Sequence, residues 1–196
     1  MRKELELKLQ DEFSFMKQKN VDEKKNLYRR WGCECSDGWY DIIHDCCKQI
    51  KERYELDGTE IDFEPAQIKE KFGTLRFYYG YKDAPCGIAA WDFFGSGISV
   101  RFDPKGDDAD ADSEEDSNKQ KLRADIAKII RNAEERSKTT CEWCGDTQTA
   151  SLRTNLGGWI CTLCDSCSEK YIESKIERCR EIDEMIKKKQ EKNQDE

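Results

Sequence analysis

Histidine is almost missing from this chain: His44 is the single one among 196 residues. Imidazole is the side chain most used for proton transfer near neutral pH, so histidine-based catalysis has little material. Apolar residues are also few. They make up 36% against 39% charged, which is lean for a globular chain, so some stretches must be solvated helix faces or loop. No apolar run approaches the roughly 20 residues that span a bilayer. The first residues, "MRKELELKLQDEF", contain no apolar signal core. The expectation is a chain that makes no membrane contact and stays in the cytoplasm. An excess of positive charge is lacking too: the formal net charge is −8. That argues against a general, patch-independent affinity for nucleic acid or anionic lipid, while leaving room for a local basic face.

The familiar reaction motifs are missing as well. There is no P-loop, no G-x-G-x-x-G opening a helix and no G-x-S-x-G. A zinc deaminase would need H-x-E and P-C-x-x-C. "PCGIA" at Pro85 lacks the second cysteine, and H-x-E does not occur.

Cysteine, by contrast, is plentiful, with 11 residues. In a reducing compartment, paired cysteines serve more often as ligands than as staples. An odd count also fits a disulfide framework badly. Five of the eleven fall in "TTCEWCGDTQTASLRTNLGGWICTLCDSC". Cys141-x2-Cys144, then nineteen residues, then Cys164-x2-Cys167 is the spacing of a four-cysteine zinc site. Two cysteines flanking two residues can bend round one ion, and a tetrahedral site needs two such pairs.

The chain between the pairs reads as a hairpin turning at residues 155–158. Gly145 suits a tight knuckle after the first pair. Ser166-x-x-Glu169 reads as a capping box, which would place Cys167 in the first turn of a helix. Knuckle, hairpin and helix start form the order of a treble-clef zinc finger, with a zinc ribbon as the near alternative. Cys161-x2-Cys164 is a competing pair; the helix start favours Cys164 and Cys167, leaving Cys161 as a spare thiol on the last strand. Four thiolates leave no open position, so one Zn2+ ion here would be structural. Arg153 and Lys138 are expected to offset the charge of the centre.

The remaining segments form the body. "SDGWYDIIHDCCKQIKERY" spaces Trp39, Ile42, Ile43, Cys46, Cys47, Ile50 and Tyr54 by threes and fours, an amphipathic helix capped by Ser36 or Asp37. Leu75, Phe77 and Tyr79 alternate with polar neighbours, the second strand of a hairpin. Its first strand, over residues 61–69, contains Pro65 and should be short or at an edge. A second amphipathic helix carries Leu122, Ile126, Ile129, Ile130 and Ala133. Seven of the ten residues 107–116 are acidic, which predicts a disordered insertion over about 103–117.

The expected divisions are 1–36 an N-terminal helical arm, 37–138 an α+β core, 139–170 the four-cysteine zinc module and 171–196 a C-terminal helix with a frayed tail. Cys46 and Cys47 lie on the apolar stripe, where free cysteine packs as a small hydrophobe; whether they join Cys33 and Cys35 in a second metal site is left open. Arg76 and Tyr78 on the outer hairpin face, with Trp91 and Phe93, are the candidate partner contacts.

Three segments together, "CSDGWYDIIHDCCKQI", "QIKEKFGTLRFYYGY" and "CEWCG" followed by "GWICTLCDSC", resemble a family of small, largely uncharacterised zinc-binding proteins of bacteria and their phages. The resemblance spans roughly residues 31–81 and 122–167. It implies a bacterial or phage cytoplasmic setting and a zinc-stabilised fold, and it supplies no catalytic residue. The second pair often reads Cys-x-x-His there; Cys167 takes that place here.

The expected class is α+β: amphipathic helices packed on a small antiparallel hairpin-centred sheet, a treble-clef-like or zinc-ribbon module, and a C-terminal helix. The expected function is a non-enzymatic, zinc-stabilised interaction protein, with a phage or mobile-element factor that binds and modulates a host protein as its specific form. Nucleic-acid binding through the zinc module is the second reading, and an enzyme with an unrecognised site the third.

Overall fold

The computed structural model describes residues 1–17, 26–86, 91–92, 99–100 and 114–192. Three short helices open the chain: α1 (Lys3–Glu12), α2 (Ser14–Lys17) and α3 (Leu27–Trp31). A two-residue strand β1 (Cys33–Glu34) and a 3-10 turn (Asp37–Trp39) lead into α4 (Tyr40–Asp57). The hairpin β2 (Phe63–Lys71) and β3 (Thr74–Tyr81) follows. Strands β4 (Trp91–Asp92) and β5 (Ser99–Val100) pair with each other. The chain ends in α5 (Glu114–Ser137), the hairpin β6 (Ser151–Leu156) and β7 (Trp159–Leu163), and α6 (Asp165–Lys192). The protein is α+β, with small sheets and a long C-terminal helix.

The stripe on α4 is buried as its spacing requires: Ile42, Ile43, Cys46, Cys47, Ile50 and Tyr54 all face inward. They meet Phe63, Ile68, Leu75, Phe77, Tyr79 and Tyr81 from the hairpin, and Leu122, Ile126, Ile130 and Ala133 from α5. The expected helical arm is part of this same core. Leu9, Phe13, Phe15, Met16 and Tyr28 are buried in it, and Phe15 meets Phe63 edge-on at 5.5 Å. Leu9, Phe13, Met16 and Tyr28 are almost completely buried, which a solvated arm would not allow. His44 sits at the rim, its Nε2 2.9 Å from Glu12 and its ring against Phe13.

Two local expectations change. Strand β2 is nine residues long and lies between β1 and β3. Pro65 pairs with Tyr79 of β3, while β1 pairs with β2 in parallel only at Ile68 and Lys69, so β1 does not ask for the missing N–H. A register shift follows at Pro65/Gln67, and the Pro65 carbonyl accepts from Asn26 Nδ2 at 2.8 Å. Asn26 also caps α3 through its side-chain oxygen. Neither Ser36 nor Asp37 caps α4 with its side chain. Asp37 instead accepts from the backbone N–H of Arg2 at 2.7 Å and from its guanidinium, which fastens the chain start to this turn.

Helix α5 seals the open side of the sheet. Ser137 Oγ accepts from Leu75 N–H at 2.9 Å and Glu134 Oε1 from Phe77 N–H at 2.8 Å. The outward amides of β3 are thereby satisfied, so this edge offers no template for another strand. The first acidic residues of this helix, Glu114–Asp116, belong to the expected disordered insertion and are helical here; residues 103–113 lie outside the described residues.

Cys33, Cys35, Cys46 and Cys47 are all buried in the main core. Burial, with Cys35 and Glu6 nearby, pushes the Cys33 thiol well above its ordinary range. Burial likewise raises Cys47 and takes Cys35 from 9.0 to about 12. A raised acid pKa stabilises the fold fully below the unfolded value and progressively less as pH rises through the folded value. Stability should therefore hold up to about pH 9 and fall toward pH 12, as read by urea unfolding at stepped pH. Cys35→Ala should flatten that slope; an unchanged slope would assign alkaline unfolding to other groups.

Trp39 is fully buried and its Nε1 donates to the Thr140 carbonyl at 2.8 Å, linking the core to the cysteine segment. Trp39→Phe should cost about 1–3 kcal/mol for the orphaned carbonyl, plus a packing loss from the smaller ring. Trp31→Phe, at a side chain 58% exposed, should change stability by less than about 0.5 kcal/mol. Similar losses for both in denaturant titrations would contradict the link.

Candidate metal centre

The first cysteine pair lies in a knuckle directly after α5. Cys141 N–H donates to the Asp146 carbonyl at 2.7 Å, and Gly145 N–H returns to the Cys141 carbonyl at 2.9 Å. Gly145 has φ +80°, the left-handed region that a β-carbon disfavours. From Ser151 the chain forms β6, and β7 brings it back to Cys164. There α6 begins at Asp165, so Ser166 and Glu169, read as a capping box, both lie inside the helix. The cap is Cys164 itself: its Sγ accepts from Cys167 N–H at 3.4 Å, and its carbonyl accepts from Ser168 N–H at 2.9 Å. A sulfur replaces the usual Ser or Asp oxygen in satisfying a first-turn amide. Knuckle, hairpin and helix start thus hold the four thiols in treble-clef order.

The sulfurs of Cys141, Cys144, Cys164 and Cys167 all lie within 4.8 Å of one another. Those of Cys144 and Cys164 are 3.7 Å apart. A tetrahedral ion with sulfurs at about 2.3 Å separates them by roughly 3.8 Å along each edge. The four residues fit one such ion, and an all-thiolate set favours zinc among common cellular metals. Cys141, Cys164 and Cys167 are buried and Cys144 is exposed.

Their electrostatics call for a cation. Burial pushes Cys141 up, but N–H groups of Cys164, Cys144 and Trp143 outweigh it and hold the thiol below its ordinary value. Burial, followed by the nearby sulfurs of Cys164, Cys144 and Cys141, holds Cys167 well above it. Without an ion, the thiols cannot all ionise together; a dication reverses that preference. Cys161 stands outside the cluster, half-buried on β7, its thiol raised to about 11 by burial, Glu142 and Glu70.

The two residues between Cys141 and Cys144 prove to be more than spacers. Glu142 is buried; its carboxylate accepts from Ser36 N–H at 3.0 Å and its carbonyl from Gly38 N–H at 2.8 Å. Its own N–H donates to the Thr162 carbonyl at 2.9 Å. Thr162, fully buried, gives its hydroxyl to the Gly73 carbonyl at 2.5 Å. A β-carbon at Gly38 would collide with the Cys141 carbonyl and the Gly145 nitrogen, so only glycine admits this approach. Trp143 turns the other way and meets the Tyr171 ring of α6 at 5.8 Å. A charged residue inside a cysteine knuckle was the one available hint of this docking.

The expected charge-balancing residues do other work. Arg153 donates to the Leu163 carbonyl at 3.2 Å and to Asp165 at 2.5 Å, bracing the hairpin against the start of α6. Lys138 pairs with Glu135 at 2.5 Å.

Of the candidate contacts, Arg76 and Tyr78 share the outer face of the sheet with Lys69: Lys69 pairs across from Arg76 and places its Nζ 5.4 Å from the Tyr78 ring. Trp91 is described only through its backbone pairing with Val100, and Phe93 lies outside the described residues.

No protein-family model, curated protein or solved structure matches the chain. Among the described residues, no helix is long and apolar enough to cross a membrane. The fold and the site define an α+β protein with a four-cysteine site that could hold one metal ion, zinc by its donor chemistry.

Protein purified without chelator should carry about one zinc per chain, measured by elemental analysis. Cys144→Ser should release it and destabilise residues 139–170, whereas Cys161→Ser should retain it. Equal loss in both variants would assign the second pair wrongly. Because protons compete with the ion for thiolate, zinc release should increase as pH falls.

Proposed function

We propose that this chain is a non-enzymatic, zinc-stabilised interaction protein whose partner is another protein. A closed four-thiolate sphere leaves the ion no position for substrate or activated water, so its role is to hold the module in shape. The bacterial or phage setting implied by the resemblance makes a host protein the natural partner.

Phe72 carries the reading. It lies at the tip of the β2–β3 hairpin with φ +51° and is 55% exposed. A bulky residue in the left-handed region costs about 1–2 kcal/mol, and exposure brings no burial in return. Asn or Gly would fold more easily at this tip. Strain of this kind gathers at sites that bind. The following residue, Gly73, touches Leu152 of the zinc module, which is also half exposed. The apolar tip therefore belongs to the surface that the zinc site rigidifies.

A second reading, nucleic-acid binding, is favoured by the sheet's outer face. Cross-strand pairing sets Lys69 beside Arg76 and Gln67 beside Tyr78, with Lys71 opposite Thr74. Cations next to an aromatic ring can grip a single strand. The face is diluted by Glu34, which accepts from Gln67, and the whole chain is acidic.

One experiment separates the two. The tagged chain is used to capture a partner from bacterial lysate, with and without nuclease. The captured protein should survive nuclease and be lost with Phe72→Asn, although that variant should melt no lower than the wild type. Capture that disappears with nuclease, or that Phe72→Asn leaves intact, would contradict the proposal. In direct titration, random-sequence DNA or RNA should bind no tighter than about 10⁻⁵ M at physiological salt. Submicromolar, salt-sensitive binding lost with Lys69→Ala and Arg76→Ala would establish the second reading instead.

A further inference from the structure

Helix α6 leaves the body soon after it begins. Tyr171 is held against the module through Trp143, and Lys175 reaches back to it, its Nζ 5.9 Å from the Trp159 ring. Along its length lie Ile172, Ile176, Cys179, Ile182 and Ile186, and the four isoleucines are each 39–49% exposed; Cys179 is exposed as well. Among the described residues, its contacts with the module fall within about its first three turns. Helices in water gain most of their stability by packing an apolar face. A 28-residue helix that presents four isoleucines to solvent has a face waiting for a partner.

The order of residues on that face identifies the partner. Counted from Cys179, isoleucine stands at −7, −3, +3 and +7. At about 100° per residue, all four fall within about 60° of the line through Cys179. The stripe is a palindrome, so it reads the same in both directions along the helix. We propose that α6 pairs with α6 of a second copy of this chain, antiparallel, about a two-fold axis at Cys179. Ile172 then lies opposite Ile186 of the second copy, and Ile176 opposite Ile182. Such a two-fold contact is self-complementary.

Two charges within the same face set the direction. Lys175 and Asp183 stand at −4 and +4, about 40° from the line, so each lysine meets an aspartate in the antiparallel pair. A parallel pair would set Lys175 against Lys175 and Asp183 against Asp183, which costs stability in paired helices. The like-charged Arg178 and Arg180 lie about 100° off the line, and Arg180 is 3.9 Å from Glu177 on its own helix.

Sedimentation of the zinc-loaded full chain at about 50 µM, suited to a contact smaller than a standard interface, should give the mass of a dimer. Ile176→Asp with Ile182→Asp should give a monomer with unchanged helicity and zinc content. Lys175→Glu should weaken the dimer at least threefold, and adding Asp183→Lys should restore it. A monomeric wild type would overturn the proposal. So would a dimer that survives the double aspartate variant. Failure of Asp183→Lys to rescue Lys175→Glu would overturn the antiparallel direction.

Discussion

Four cysteine sulfurs within 4.8 Å of one another repel as soon as they ionise, and a dication among them turns that repulsion into attraction. The C-terminal part of the molecule depends on this exchange. The main core gathers buried side chains from the first helix to α5. The cysteine segment has its own cluster of five buried residues, three of them cysteine ligands; Leu156 and Leu163 are the others. Two leucines cannot offset the entropy of fixing some thirty residues at about 1–2 kcal/mol each. Metal–sulfur bonds would supply what apolar burial lacks, as in other small metal-held modules.

The module is fixed to the body by polar contacts with exacting geometry. Glu142 joins the 3-10 turn through side chain and backbone, Thr162 joins the hairpin turn at Gly73, and Trp39 reaches across to Thr140. Each buried donor or acceptor is matched, so a displaced module would leave several unsatisfied at once. An ion bound there would therefore shape more than its own knuckle. It would set the position of Glu142 and Thr162, and through them the surface around Phe72, Gly73 and Leu152. Helix α6, starting at a metal-ligand pair, takes its direction from the same point.

Much of this was legible in the sequence where one local rule decides the outcome. The three-and-four spacing on α4 and α5 and the alternation in β3 translate directly into buried faces. The spacing of Cys141, Cys144, Cys164 and Cys167 gave the site because tetrahedral geometry allows few other solutions. The misread features depend on distant partners. Pro65 sits in a central strand because β1 is too short to reach it. Glu142 and Thr162 look like solvent residues until Gly38 and Gly73 arrive from more than eighty positions away. The N-terminal helices carry too few apolar residues for a strong periodic signal, yet Leu9, Phe13 and Met16 complete the core. The left-handed Phe72 has no local signature, since its neighbours spell an ordinary hairpin.

The most direct measurement is amide hydrogen exchange on the zinc-loaded chain, before and after the metal is removed with a chelator. The account predicts that protection disappears across residues 139–170 while amides of α4 and the β2–β3 hairpin stay protected, apart from those near Gly38 and Gly73. Equal protection across residues 139–170 with and without metal would contradict the claim that the four-thiolate centre holds this part of the fold.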